Sequence, residues 1–108
     1  MSVIDRYDRQ RRSLDLGVEG DRRLAALEVL LVGCGGVGCA VAQMLVRSGV
    51  GSLRVLDGDV VSESDLHRQC LYYPQDVEAG TPKALAALRE LERIGGRPRL
   101  AAHPISFT

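Results

Sequence analysis

Six residues, Gly33-Cys34-Gly35-Gly36-Val37-Gly38, come directly after the apolar stretch Val29-Leu30-Leu31-Val32. A strand that runs into spaced glycines and then into an apolar-periodic segment gathers backbone N–H groups around an anion, at the positive end of a helix dipole. Phosphate binding is the chemistry this spacing offers. An acid, Asp57, stands 19 residues past Gly38 at the end of a second apolar run. A carboxylate in that place accepts hydrogen bonds from ribose hydroxyls. Both features also have plainer readings: a glycine turn that lets a helix pack on a strand, and a loop-start Asp that caps its own backbone. Lys83, the only lysine, falls in a first helical turn. A cation there opposes the helix dipole, which points to an anion beside it.

These groups need a scaffold, and the hydrophobic pattern supplies one. Glu28–Val32 reads as a strand, and its continuous apolar run predicts cover on both faces. A helix comes next over Gly36–Ser48, with Val37, Val41 and Leu45 as its buried stripe and Gly49 and Gly51 as its stop. Ser52–Leu56 is the second strand. The stretch from Asp57 to about Gly80 has no sustained period and reads as a long irregular, functional segment. Thr81-Pro82 reads as N-cap and first helical position of another helix, with Leu85, Leu88 and Leu91 as its seam. Arg89, Glu90, Glu92 and Arg93 fall outside that seam, and Gly95-Gly96 ends the helix. Either Leu100–Ala102 or Ile105–Phe107 supplies a third strand.

Ahead of all this, residues 1–12 interleave Arg6, Arg9, Arg11 and Arg12 with Asp5 and Asp8, the pattern of a solvated arm or short helix. Gly17 and Gly20 punctuate a turn, and Asp21 to Leu27 reads as one or two helical turns capped by Asp21. The expected fold class is α/β: the N-terminal half of a doubly wound, Rossmann-like parallel sheet, β-α-β-loop-α-β after short N-terminal helices. Right-handed crossovers give the strand order 3-2-1. Residues 1–27 would be an arm and 28–108 the nucleotide-binding half-domain.

Composition narrows the classes. At 108 residues the chain is one small domain or part of a larger one. Lys plus Arg and Asp plus Glu are each 14, so net charge is zero, which argues against a nucleic-acid binder that relies on bulk charge. Cys34, Cys39 and Cys70 are odd in number and lack Cys-x-x-Cys spacing. Neither a disulfide framework nor a zinc ribbon is indicated; small buried hydrophobes in a reducing compartment are expected. The charged start carries no signal-peptide pattern, and no apolar run approaches a membrane span. A cytoplasmic protein without membrane or nucleic-acid partners is the expectation.

The continuation past Asp57 separates the nucleotide classes. Asp57-Gly58-Asp59-Val60-Val61-Ser62-Glu63-Ser64-Asp65-Leu66-His67-Arg68-Gln69 departs from a nicotinamide-dehydrogenase pattern. With Arg6-Tyr7-Asp8-Arg9-Gln10, the glycine run and Gly80-Thr81-Pro82-Lys83, it resembles the ThiF/MoeB/HesA family, bacterial relatives of ubiquitin-activating enzymes. Four motifs match in order, from Arg6 to about Gly95.

The resemblance implies an enzyme that uses Mg-ATP to adenylate the C-terminal glycine carboxylate of a ubiquitin-like sulfur-carrier protein. It implies that Gly33, Gly35, Gly36 and Gly38 line the nucleotide and that Asp57 holds the ribose. Asp59, Asp65 and Gln69 would shape the nucleotide site, and Arg68 and Lys83 would neutralise phosphate charge. Arg9 would reach the phosphates of a neighbouring subunit in a homodimer. His67 reads as a solvated loop histidine, and Tyr72 and Tyr73 as ordinary half-buried tyrosines.

Two departures qualify the match. The family usually has Asn where this chain has Asp65; an ionised carboxylate only accepts hydrogen bonds. At about 4 Å from a phosphate charge it costs roughly 1 to 4 kcal/mol, so weakened ATP binding is expected unless Mg²⁺ bridges the two. Family adenylation domains are also more than twice as long. The additional part carries an aspartate for Mg²⁺, zinc-binding cysteines and an acceptor cysteine where these occur, and the groove for the carrier protein. Without it the apolar first strand has an unpaired outer edge, so a homodimer or a complementing C-terminal half is the expected partner. A non-catalytic nucleotide- or partner-binding domain, and an NAD- or FAD-binding half-domain, are the alternatives.

Overall fold

The computed structural model describes residues 5–13 and 15–106. Helices α1 (Asp8–Arg11) and α2 (Gly17–Ala26) precede strand β1 (Glu28–Val32). Helix α3 (Gly36–Ser48), β2 (Ser52–Leu56), α4 (Pro74–Ala79), α5 (Lys83–Ile94) and β3 (Arg99–His103) come after it. The strands form one parallel sheet in the order β1-β2-β3, the expected topology. Of the two candidates for the third strand, the one around Leu100–Ala102 forms; Ile105 lies beyond it, and Phe107 lies outside the described residues.

Register decides which residues meet. Val29, Leu53 and Leu100 align across the sheet, as do Leu31, Val55 and Ala102. These two rows face α3 and α5, which pack together over them and close the core. The other face carries Leu30, Arg54 and Ala101, with Val32 further along β1. Leu30 and Val32 are about half exposed, at 54% and 51%. The cover expected on both faces of β1 is therefore present on one only. A shallow groove of about 470 Å³ runs over this open face, among Glu28, Leu30, Arg54 and Arg99, towards the strands' N-terminal ends.

Both crossover helices present faces other than those expected. In α3 the buried residues are Cys39, Ala42 and Val46; Leu45 is half-buried, and Val37 and Val41 are exposed. In α5 Leu91 is buried with Ala84 and Ala87, Leu88 is half-buried, and Leu85 is exposed. The reason is the separation between layers. Small side chains on the facing surfaces let α3 and α5 approach each other and the sheet closely, and this excludes the bulkier Val and Leu stripes. Glu90, outside the expected apolar seam, is buried, where its carboxylate accepts hydrogen bonds from Tyr73 Oη at 3.0 Å and Arg89 Nε at 2.8 Å.

Pro82, not Thr81, borders α5, which begins at Lys83 without a side-chain cap. Its N-terminal region is satisfied by the backbone: the Lys83 N–H donates to the Asp59 carbonyl at 2.9 Å, and Thr81 N–H to Asp76 O at 3.0 Å. The segment expected to be irregular contains a 3₁₀ turn over Glu63–Asp65 and the helix α4. Asp76 explains α4. Its buried carboxylate accepts the Tyr73 N–H at 2.9 Å and a forked pair from Arg89 of α5, which holds it well below the usual carboxylate range.

Of the two readings of the N-terminal segment the short helix forms, as α1, and it is fastened to the body. Gly17 opens α2 with a left-handed φ, and Gly20 lies within the helix. Asp21 is also inside α2, not at its cap, and is buried. Its carboxylate accepts from Arg97 at 2.8 Å and from Arg11 and Gln10 at 3.2 Å each; Arg97 contributes most to its lowered pKa. Arg97 also stacks over the buried Tyr7 ring, 4.1 Å from its centroid. The chain just ahead of β3 is thus clamped to the arm. Among the described residues no helix is long and apolar enough to cross a membrane.

Candidate functional site

The site begins where β1 ends. Gly33 turns the chain with φ +90°, and its N–H donates to the Leu56 carbonyl at 2.8 Å. Gly38, in the first turn of α3, packs on Gly33: a methyl at Gly38 would run into the Gly33 carbonyl, only 3.1 Å from its carbon. Only a hydrogen fits there, so the turn from strand to helix is as tight as the backbone permits. Gly35 and Gly36 form the rim and are half-buried.

Asp57 closes β2 beside this loop. One carboxylate oxygen accepts the Cys34 N–H at 2.7 Å, and the other accepts the Asp59 N–H at 2.8 Å. The plainer, backbone-capping role is thus real. Four lone-pair sites serve only two donors here, so acceptor capacity for a ribose hydroxyl remains. Asp59 itself is exposed, and its backbone carbonyl receives Lys83.

The 3₁₀ turn brings the second half of the candidate set to the same rim. Asp65 is buried, and one of its oxygens accepts from the Ser62 N–H and the Ser62 hydroxyl, both at 2.9 Å. Lys83 Nζ lies 3.4 Å from that oxygen, and Gln69 Nε2 donates to the other at 2.9 Å. The Ser62 backbone bond leads in holding the Asp65 carboxyl below its ordinary range, with the Ser62 hydroxyl and Lys83 adding to it. Arg68 donates to Ser64 O at 2.9 Å and lays its chain near Gly36: a methyl there would touch Arg68 Cδ at 3.8 Å. Gln69 is buried below Gly35, and its Oε1 has no partner. A buried polar atom left without a partner is costly unless a ligand or water meets it.

The sequence nominates eleven residues: Gly33, Gly35, Gly36, Gly38, Asp57, Asp59, Asp65, Arg68, Gln69, Lys83 and Arg9. All but Arg9 gather at the C-terminal ends of β1 and β2. Such a sheet edge is where open α/β folds take ligands. Arg9 does not join them within one chain. Its helix is pinned by Gln10, which donates to Ser48 O at 2.6 Å, at the C-terminal end of α3. The glycine loop is at the other end of that helix, about 20 Å away by helical rise. Cys70, expected to be buried, is exposed, with Gln43 Nε2 3.1 Å from its sulfur. Tyr72 contributes more than the sequence suggests: it is buried and its hydroxyl donates to the Cys34 carbonyl within the glycine loop. Its neighbour Tyr73 is exposed, so only contact, not residue type, separates the two.

The loop N–H groups and the two cations fit the phosphates of a nucleotide, and the unpartnered Gln69 Oε1, an acceptor, fits one of its hydroxyl or amino donors. A metal is a different matter. Among the described residues no three His, Cys, Asp or Glu side chains are grouped to hold one.

The sequence pattern of the ThiF family matches residues 7–105. The chain belongs to the ThiF family. A sulfur carrier protein adenylyltransferase of Thermus thermophilus is 44% identical over 105 residues, 97% of this ThiF-family chain and 38% of the relative. The adenylyltransferase and sulfurtransferase MOCS3 of Mus musculus is 46% identical over 101 residues, 94% of this chain and 22% of the relative. Among solved structures, E. coli MccB with ATP superposes with a TM-score of 0.85 at 26% identity, covering 99% of this chain and 32% of that one. The chain therefore spans well under half the length of these relatives.

Proposed function

We propose that this chain is the ATP-binding part of an adenylyltransferase that activates the C-terminal carboxylate of a ubiquitin-like sulfur-carrier protein. The observation that carries the proposal is the meeting of Arg68, Gln69 and Lys83 around Asp65, with Arg68 beside Gly36 and Gln69 beside Gly35 of the glycine loop. A dinucleotide-holding loop needs no such pair of cations. A triphosphate whose α-phosphorus is attacked does, because charge builds on its oxygens as pyrophosphate leaves.

In this reading the loop N–H groups hold phosphate oxygens, and Asp57 takes the ribose through its free acceptor capacity. Arg68 swings from Ser64 O to the phosphates; its guanidinium fork suits two oxygens at once. Lys83 holds a point charge below the loop. Gln69 turns its unpartnered amide face to the ligand. The carrier's carboxylate attacks the α-phosphorus, the bond to pyrophosphate breaks, and an acyl-adenylate results. No proton transfer by this chain is needed; positioning and charge neutralisation suffice. Arg9 acts in trans, in a homodimer. Mg²⁺ enters with the nucleotide, and no step is assigned to it. A cytoplasmic location belongs to the same proposal.

Calorimetric titration of the chain with Mg-ATP and with NAD is the test. Micromolar Mg-ATP binding with no NAD binding is expected, weakened at least tenfold in Arg68→Ala and Lys83→Ala. NAD binding without ATP binding would overturn the reading. A second version, a nucleotide-binding domain without catalysis, draws on the small share of the relatives that the chain spans. ATP binding without pyrophosphate exchange in the presence of candidate carrier proteins would favour it.

A further inference from the structure

The glycine loop also holds two thiols that nucleotide binding does not use. Cys34 lies in the loop and Cys39 in the first turn of α3; both are fully buried, with their sulfurs 3.8 Å apart. The Cys39 thiol also donates to the Cys34 carbonyl at 3.4 Å. Between them run Gly35-Gly36-Val37-Gly38, three of four without a side chain. The backbone of Cys34 is engaged on both sides: its N–H binds Asp57, and its carbonyl receives Tyr72.

We infer that Cys34 and Cys39 form a dithiol modification site, which a hydroperoxide converts to a disulfide that reshapes the glycine loop. The effect on nucleotide binding rests on the function proposed above; the bond and the loop distortion do not.

The two sulfurs differ in readiness. The contact between the sulfurs draws the Cys39 thiol down, whereas the same contact and burial push Cys34 up. Cys39 is the nucleophile. Its thiolate attacks the peroxide, the O–O bond breaks, and Cys39 becomes a sulfenic acid while the distal oxygen leaves as hydroxide and takes up the Cys39 proton. Cys34 sulfur then attacks Cys39 sulfur; the S–S bond forms, the S–O bond breaks, and the departing hydroxide takes the Cys34 proton. With hydrogen peroxide, two thiols and one peroxide give one disulfide and two waters. Two electrons pass from the sulfurs to the peroxide oxygens. A peroxide is small, and the loop that carries Cys34 begins at the exposed Gly33.

Geometry sets the consequence. Bonding brings the sulfurs from 3.8 Å to about 2.0 Å. Closing that gap pulls Cys34 towards the helix, in a loop where Gly38 already abuts the Gly33 carbonyl. The Cys34 N–H bond to Asp57 is the contact expected to break.

The test uses the 108-residue chain carrying Cys70→Ser, so that the exposed thiol does not react. Reduced protein is treated with hydrogen peroxide and followed by intact mass, by peptide mapping and by amide NMR of Gly33, Gly35, Gly36 and Gly38. A loss of about 2 Da, a linked Cys34–Cys39 peptide reversed by dithiothreitol, and shifted loop amides are expected. Mg-ATP should bind the oxidised form at least tenfold more weakly and should slow oxidation of the reduced form. Accumulation of Cys39 sulfinic acid without a linked peptide would overturn the inference. So would a linked peptide with unmoved loop amides. Reduced protein that forms the disulfide and shifts the loop, yet binds no Mg-ATP, would support the dithiol site and overturn the nucleotide function instead.

Discussion

Asp65→Asn should move two measurements in opposite directions. In the wild-type chain the carboxylate stands 3.4 Å from Lys83 Nζ, with both side chains about nine-tenths buried. Two unit charges at that distance attract by about 5 kcal/mol at an effective dielectric of about 20. Desolvation of both groups takes back part of this, but the substitution leaves Lys83 buried without its anion, so the loss is roughly 3 kcal/mol. The amide can keep the Ser62 N–H bond through its oxygen. Its NH₂ can meet Gln69, because a flip of that side chain presents the unpartnered Oε1. The loss is therefore confined to the ion pairs with Lys83 and, at 3.9 Å, with Arg68, and Tm should fall by roughly 15 °C for a domain of this size. Nucleotide binding should improve. A phosphate that reaches Lys83 lies about 5 to 6 Å from the carboxylate, and at a dielectric of about 60 that repulsion is about 1 kcal/mol. Its removal corresponds to about fivefold tighter Mg-ATP binding. Calorimetry at fixed ionic strength and a thermal melt on the same sample read both effects. A folded variant with equal or weaker affinity would refute the idea that this carboxylate opposes the phosphate.

Acid should destabilise the chain through the same groups. Asp21, Asp65 and Asp76 sit below their unfolded value of 3.8, so the folded state holds fewer protons. Their contribution is complete above about pH 5 and is lost as pH falls through 4 and below; urea unfolding between pH 3 and 7 should show stability declining only at the acid end, and a flat profile to pH 3 would contradict this. Asp21→Ala should cost about 3 kcal/mol in urea unfolding, since it strips the buried partner from Arg97. Gly38→Ala should cost about 2 kcal/mol by overpacking against Gly33 and weaken Mg-ATP binding at least tenfold. Unchanged affinity in a folded Gly38→Ala would show that the loop's tightness is irrelevant to the ligand.

The sheet order, the crossover helices and the rim of the site are legible in the sequence because each rests on short-range chemistry. Apolar runs mark strands, glycines mark turns, and a polar loop trails a strand end. The illegible features depend on partners distant in sequence. Asp21 resembles a cap because its ligand Arg97 lies 76 residues away. Helix α4 is hidden because Asp76 is held by Arg89 from another helix. The helix faces mislead for a related reason. Periodicity weighs Val and Leu above Ala and Cys, but the distance between layers favours the small residues. Tyr72 and Tyr73 are adjacent and identical in type, and only the loop carbonyl above one of them sets it apart.

The sheet is dry on one side and wet on the other. Leu30 and Val32 on that wet side keep apolar surface in water that an unfolded chain would expose as well. Whatever settles there binds the folded chain and not the unfolded one. Mass action then makes stability a property of the solution as well as of the sequence: each tenfold rise in such a molecule above its Kd adds about 1.4 kcal/mol. If that molecule is a second copy, the melting temperature rises with protein concentration, and a single Tm describes one dilution only.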